Sequence, residues 1–201
     1  MTIKKVKCDE KGTDIFTNAV RNGKVVVFPT DTVYGIGGDP YNEETINRIY
    51  KIKNRDLKKP MPILADNIKR LERIVKFDKS TLMLARKFWP GKITMILENQ
   101  DERLGKLSHN GKIGVRIPNN KCLLKMLGNL GLIIGTSANF SEQKPFINPD
   151  ECLEKFAGYD ILLDGGVLKE MAESTVVEIT DERVIIHREG AITKKEILDL
   201  F

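Results

Sequence analysis

Residues 28–38 read Phe-Pro-Thr-Asp-Thr-Val-Tyr-Gly-Ile-Gly-Gly and follow directly on the apolar run Lys24-Val-Val-Val27. A short buried strand ends at Pro29, which has no N–H to give to a sheet ladder. Beyond it, Thr30, Asp31, Thr32, Tyr34 and the bare backbone of Gly35 offer hydrogen-bonding groups and open space rather than core. In an open α/β sheet, the loop leaving a strand's carboxyl end is where ligands bind. Thr and Asp also serve as plain turn formers, their side chains bonding nearby amides. Both readings stay open on this segment alone.

The strand before Pro29 is one of a series. Strand patterns cover 25–28, 62–65, 93–98, 113–117, 132–135, 161–163, 175–179 and 184–187. Helical patterns cover 43–54, 67–75, 80–88, 121–130, 149–156 and 193–200, with a weaker one over 13–22. Thr193 and Glu196 have capping-box spacing for the last helix. Alternating strands and helices predict an α/β fold, a twisted open sheet with flanking helices. The Ile-Thr-Asp-Glu-Arg-Val stretch reads as a hairpin, so the sheet is expected to be mixed. No repeat, low-complexity tract or linker interrupts the 201 residues, and one domain over 1–201 is the expectation.

Charge is uneven. The net +5 divides into +8 over residues 1–100 and −3 over 101–201. Much of the excess lies in Arg48, Lys51, Lys53, Arg55, Lys58 and Lys59, answered only by Asp56. Such a cluster fits phosphate contacts or a solvated helix face. Cys8, Cys122 and Cys152 stand far apart with no CxxC pair, which predicts reduced thiols and neither a zinc site nor a disulfide scaffold. The N-terminus lacks the apolar core of a signal peptide, and no run approaches the ~18 apolar residues of a membrane span. A cytoplasmic protein is expected.

The familiar phosphate loops are missing. There is no GxxxxGK[ST], and Pro40 stands where GxGxxG needs its third glycine. Two histidines, His109 and His187, are too few for a multi-histidine metal site. Ser137, Asp164 and His187 follow the chain order of an α/β-hydrolase triad, but Asn139 replaces the last glycine of the nucleophile elbow. Polar ligand contacts or a helix cap suit Thr136, Ser137, Asn139 and Ser141 better. Arg116 interrupts an apolar strand and is either paired structurally or aimed into a cleft to hold a carboxylate or phosphate. Asp164-Gly-Gly166, Glu173-Ser-Thr175 and Arg188-Glu-Gly190 are ordinary when taken singly, and Trp89-Pro90-Gly91 reads as a helix stop with Trp89 in the core. Together, cations and hydroxyls at segment ends, with few acid–base candidates, describe a site that works by positioning and charge stabilisation.

In order, PTDTVYGIG (29–37), Lys53-Asn-Arg55 with Lys59-Pro60, WPGKIT (89–94), VRIP (115–118), SAN (137–139), DGG (164–166), STVVE (174–178) and REG (188–190) resemble the YrdC-like family of threonylcarbamoyl-adenylate synthases. The resemblance spans residues 28–190 and is to the short, catalytic-domain form. It implies a sheet with a large concave basic face. It also implies a reaction in which L-threonine, bicarbonate or CO₂, and ATP with Mg²⁺ give threonylcarbamoyl-AMP and pyrophosphate. That product serves threonylcarbamoyl modification of the adenosine beside the tRNA anticodon. Carried over by position, Thr32, Arg116, Gly135, Thr136 and Ser174 would hold threonine. Arg55, Lys59, Lys112, Ser137, Asn139 and Arg188 would surround ATP, with Lys53 and Arg55 taking the catalytic part. Partners implied are tRNA or double-stranded RNA and a threonylcarbamoyl transferase complex; metal ligands are not implied. Leu64 stands where some members carry His, and Thr136 where many carry Pro. A non-catalytic factor binding double-stranded RNA or tRNA is the alternative. Carbamoyl transfer in hydrogenase maturation is disfavoured, because related domains there lie within much longer chains.

Overall fold

The computed structural model describes residues 3–169, 172–180 and 183–201. Ten strands form one mixed sheet in the order β1-β8-β2-β3-β7-β4-β6-β5-β9-β10. They are β1 (Lys4–Lys7), β2 (Val26–Phe28), β3 (Gly35–Gly38), β4 (Ile63–Ala65), β5 (Ile93–Glu98), β6 (Lys112–Arg116), β7 (Leu132–Ser137), β8 (Ile161–Asp164), β9 (Thr175–Thr180) and β10 (Arg183–Arg188). The helices are α1 (Glu10–Arg21), α2 (Glu43–Lys53), α3 (Ile68–Leu71), α4 (Lys79–Phe88), α5 (Lys121–Leu130), α6 (Pro149–Lys155) and α7 (Lys194–Leu198). The antiparallel β9–β10 pairing agrees with the hairpin expectation; its turn residues Asp181 and Glu182 lie outside the described residues.

Strand pleating sends alternate side chains to opposite faces. Val25 and Val27 therefore join one core with Ile36, Ile49, Ile63, Leu97 and Val115. Val26 and Phe28 join the other with Leu64, Ile133 and residues of α1 and α5, among them Phe16, Val20, Leu123 and Leu127. Burial of such side chains contributes about 1.5–3 kcal/mol each, which fixes strand register. This second core contains no residue of β5, β6, β9 or β10. Beyond β4 that sheet face has no α1–α5 layer over it, and there the cleft opens.

Four findings depart from the sequence reading. Residues 35–38 are a buried strand rather than part of a binding loop, so the loop proper is 29–34. Glycine is required there because a Cβ on Gly37 would sit 1.8 Å from the Ile134 carbonyl oxygen. Strand β1 escaped notice because only Val6 of its Lys-Lys-Val-Lys is buried, a charged edge strand with little hydrophobic signature. A 3-10 segment at Glu102–Leu107 was also unforeseen, and α3 is shorter than its pattern. Finally, Cys8 and Cys122 form a disulfide across 114 residues, correcting the expectation of reduced thiols. Packing of α1 on α5 brings the β1–α1 junction to the first turn of α5, a convergence that cysteine spacing cannot reveal. Cys152 is free and buried, as expected of a reduced thiol.

Candidate active site

A cleft of about 1150 Å³ runs over the exposed sheet face. Its floor is short of side chains where Gly35, Gly114 and Gly135 lie. A Cβ on Gly135 would come within 2.6 Å of Leu64 Cδ1, and one on Gly35 within 2.8 Å of Phe28 Cε2, so these positions stay bare for packing as well as access. All twelve sequence-predicted residues line this one space: Thr32, Lys53, Arg55, Lys59, Lys112, Arg116, Gly135, Thr136, Ser137, Asn139, Ser174 and Arg188. Seven Lys or Arg face three Glu around it.

At one end, the loop after β2 meets β6. Arg116 Nη2 donates to Asp31 Oδ1 at 2.6 Å and Nε to the Gly91 carbonyl at 2.9 Å. Thr32 Oγ1 lies 3.4 Å from both Nη1 and Nη2. Burial lowers the Arg116 pKa, and Asp31 opposes that shift. Thr30 Oγ1 and Thr32 Oγ1 share a 2.9 Å hydrogen bond, while Ser174 Oγ shares another of 2.9 Å with Thr94 Oγ1. Arg116 is thus both paired and cleft-lining, combining the two readings its sequence position left open. Four hydroxyls and a buried guanidinium converge here, which suits a small carboxylate-bearing molecule.

Arg55 and Arg188 add positive charge. Arg55 Nε donates to the Lys59 carbonyl at 2.8 Å and Nη2 to that of Pro60 at 3.1 Å, which folds residues 55–60 back on themselves. Arg188 Nη1 donates to Glu173 Oε2 at 2.8 Å, and Nη2 to the Ser174 carbonyl at 2.9 Å. Lys58 and Lys59 are exposed at the rim.

Lys53 is placed differently. Its side chain is buried, and Nζ donates to the Ser137 carbonyl (2.5 Å), the Asn139 carbonyl (2.9 Å) and Asn139 Oδ1 (2.7 Å). Three acceptors use all three ammonium protons. Burial, and then the Arg55 charge, lower its pKa to about 7; the three oxygens favour the charged form. Ser137 Oγ donates to the same Asn139 Oδ1 at 2.8 Å. Lys53 therefore rivets the end of β7, the part of the wall that carries Ser137 and Asn139.

The triad does not assemble. Ser137 Oγ bonds Asn139, Asp164 pairs with Lys5, and His187 Nε2 meets Glu178 Oε2 at 2.7 Å. The segments that looked ordinary singly prove to be tied to the site. Tyr34 Oη donates to the Gly166 carbonyl at 2.8 Å and accepts from Gly165 N–H. Thr175 Oγ1 accepts from Gly190 N–H at 2.9 Å. The pairing of Asp31 with Arg116 escaped the sequence reading, as did two cleft residues as site members, Glu178 and His187. The last is exposed by a register break between Ile186 and Arg188, a bulge that turns both His187 and Arg188 into the cleft. No sequence signal marks that bulge.

The Sua5_yciO_yrdC family profile, described as "Telomere recombination", matches residues 18–190. This chain belongs to the Sua5/YciO/YrdC family. The threonylcarbamoyl-AMP synthase of Pyrococcus abyssi is 32% identical over 183 residues, covering 89% of this chain and 54% of that protein. A putative threonylcarbamoyl-AMP synthase of Methanocaldococcus jannaschii is 29% identical, covering 91% and 87%. The crystal structure of P. abyssi Sua5 complexed with L-threonine superposes with TM-score 0.89 at 29% identity, over all of this chain and 61% of that one. The Sua5/YciO/YrdC chain described here thus spans about half the length of the P. abyssi relative. The mixed α/β sheet with flanking helices is the family fold. Among the described residues, no helix is long and apolar enough to cross a membrane.

Proposed function

We propose that this chain condenses L-threonine, bicarbonate or CO₂, and ATP into threonylcarbamoyl-AMP and pyrophosphate. The observation that carries the reading is the division of one cleft into two chemistries. Arg116 with Thr32 and Ser174 suits an amino-acid carboxylate, and Arg55, Lys59 and Arg188 suit a polyphosphate. The names of the relatives and the threonine-bound P. abyssi Sua5 support it.

Threonine's carboxylate binds the guanidinium edge of Arg116, with hydroxyl contacts from Thr32 and Ser174. Its amine adds to CO₂ to give a carbamate, losing a proton to solvent. A carbamate oxygen then attacks the α-phosphorus, a P–O bond forms, the bond to the β-phosphate oxygen breaks, and pyrophosphate leaves. Arg55 and Arg188 stabilise the charge that develops on the phosphoryl oxygens. Lys53 acts through Ser137 and Asn139, holding them against the nucleotide. No protein nucleophile takes part. Among the described residues, no group of three or more His, Cys, Asp or Glu side chains could hold a metal. Mg²⁺ enters with ATP, held by the phosphates, as part of the substrate.

The exposed Lys58 and Lys59 at the rim support tRNA or a partner transferase as the recipient of the product, received in the cytoplasm. Mass spectrometry of reactions supplied with isotopically labelled threonine and bicarbonate tests the reading. An adduct of AMP carrying both labels is expected; AMP without the adduct, or no ATP consumption, contradicts it.

A further inference from the structure

The layer of α1 and α5 supports the loop at residues 29–34 from two sides, and the Cys8–Cys122 disulfide joins those two sides. Cys8 stands between β1 and α1, and Cys122 lies in the first turn of α5. Neither lines the cleft. On the α1 side, Cys8 N–H donates to the Asp164 carbonyl at 3.0 Å. The next residue, Gly165, gives its N–H to Tyr34 Oη at 3.1 Å, and that hydroxyl donates to the Gly166 carbonyl at 2.8 Å. Gly165 also approaches Pro29 so closely that a Cβ on it would come within 2.6 Å of Pro29 Cγ. Both ends of the loop thus lean on the turn that Cys8 holds.

On the α5 side, one side chain joins helix to loop. Asn120 Oδ1 accepts from Leu123 N–H at 3.0 Å, capping the turn that contains Cys122, and Nδ2 donates to the Thr30 carbonyl at 3.4 Å. Thr30 fixes the loop from within, its Oγ1 accepting from Thr32 N–H at 3.0 Å and donating to the Val33 carbonyl at 2.7 Å. The cations assigned to ATP lean elsewhere. Arg55 bonds the carbonyls of Lys59 and Pro60, and Arg188 that of Ser174, none of which belongs to α1 or α5. Cys8 is exposed and Cys122 half-buried, so a thiol in solution can reach the bond. In the cytoplasm proposed above, such a bond is a transient, redox-sensing one rather than a permanent staple.

We infer that Cys8–Cys122 is a redox-sensitive clamp on the 29–34 loop, holding the threonine end of the cleft in its binding geometry when oxidised and loosening that end alone when reduced. A dithiol reverses it: its thiolate attacks one sulfur, the S–S bond breaks and a mixed disulfide forms. The reductant's second thiol then displaces the protein sulfur. The reductant ends as its own disulfide, oxidised by two electrons, and Cys8 and Cys122 end as two protonated thiols. Freed from each other, the starts of α1 and α5 no longer fix the distance between the Asp164–Gly166 turn and Asn120, the two supports of the loop. The effect on threonine rests on the proposed use of that amino acid; the clamp on the loop does not.

Calorimetric titration of the full chain with threonine and with ATP tests it, on oxidised wild type, wild type reduced by dithiothreitol, and Cys8→Ser, well below the melting temperature of each. Reduction is expected to weaken threonine binding about fivefold, a modest coupling between distant groups, and to leave ATP affinity unchanged. Cys8→Ser should match the reduced protein and ignore the reductant. Amide hydrogen exchange on the same samples reads the loop directly: the peptide covering 29–34 should exchange faster after reduction, and α2 should not. Equal threonine affinity and equal loop exchange in the two redox states overturn the inference, as does equal weakening toward threonine and ATP, which would mean general loosening. Oxidised wild type that binds no threonine overturns the functional reading instead, and the exchange rates still decide the clamp.

Discussion

Asp31 Oδ1 lies 2.6 Å from Arg116 Nη2, and both side chains are under a tenth exposed. Among the described ion pairs, only this one is so fully withdrawn from water on both sides. It joins the loop after β2 to β6, 85 residues apart, across the end of the cleft that we assign to threonine. The other oxygen, Asp31 Oδ2, is buried with no partner among the described residues. Since Asp31 offsets the charge of Arg116, carboxylate recognition depends on the directed N–H groups of the guanidinium more than on net charge.

Replacing either member alone strands a buried charge, which costs about 3–5 kcal/mol. Arg116→Ala is therefore expected to lower the melting temperature and to raise the threonine KM at least tenfold, with the ATP KM changing far less. Asp31→Asn keeps an acceptor for Nη2 and should be milder on both counts. Steady-state kinetics with each substrate varied in turn, alongside thermal unfolding, reads all three quantities. Equal effects on the two KM values contradict the assignment of Arg116.

Lys53 gives a pH signature of two opposed signs. Its folded-state pKa is lowered to about 7 by burial and by Arg55, against an ordinary 10.5. Between those values the unfolded chain holds more protons than the folded one, so this group makes stability rise with pH from about 7 to 10.5. Over the same range the ammonium becomes an amine with two donors for three acceptors. Nucleotide affinity should therefore fall as pH rises from about 6 to 9, while Lys53→Met, which has no proton to lose, shows a flat and weaker affinity. Arg55 and Glu173 are the charged groups that act on Lys53. A wild-type profile as flat as the variant's contradicts the role.

The Cys8–Cys122 disulfide closes a 114-residue span, for which the chain-entropy account gives roughly 4–5 kcal/mol at most. Reduction, or Cys8→Ser, should lower the melting temperature by several degrees in unfolding monitored by circular dichroism. An unchanged melting temperature would contradict a stabilising bond.

Gly37→Ala should be among the most damaging single methyl additions in the chain. The new Cβ meets the Ile134 carbonyl oxygen at 1.8 Å in the centre of the sheet, where backbone has no room to yield. Gly105→Ala, with open space around the new atom, is the control and should be near neutral. Soluble yield and urea unfolding distinguish the two.

The sequence exposed what local pattern and recurring motifs can carry. Helix 121–130 is found as read, and Thr193 with Glu196 makes both capping-box bonds. The β7 end was legible as a run of apolar residues breaking into Thr136, Ser137 and Asn139. What stayed hidden depends on contacts distant in the chain. Gly35–Gly38 has almost no side chain, so neither periodicity nor β-propensity marks it as a strand; only the neighbours β2 and β7 make it one. Lys53 read as a phosphate-seeking cation because its three acceptors lie 84 and 86 residues away. Glu178 and His187 needed a bulge to meet in the cleft.

The most direct measurement is pyrophosphate release from MgATP by the purified chain, with threonine and bicarbonate omitted in turn. Release that needs both, and that Arg55→Ala reduces at least a hundredfold without unfolding, is the predicted result. Release without threonine, or none with the complete mixture and bound ATP, would contradict the synthase reading and leave RNA binding at the Lys58–Lys59 rim as the activity to pursue.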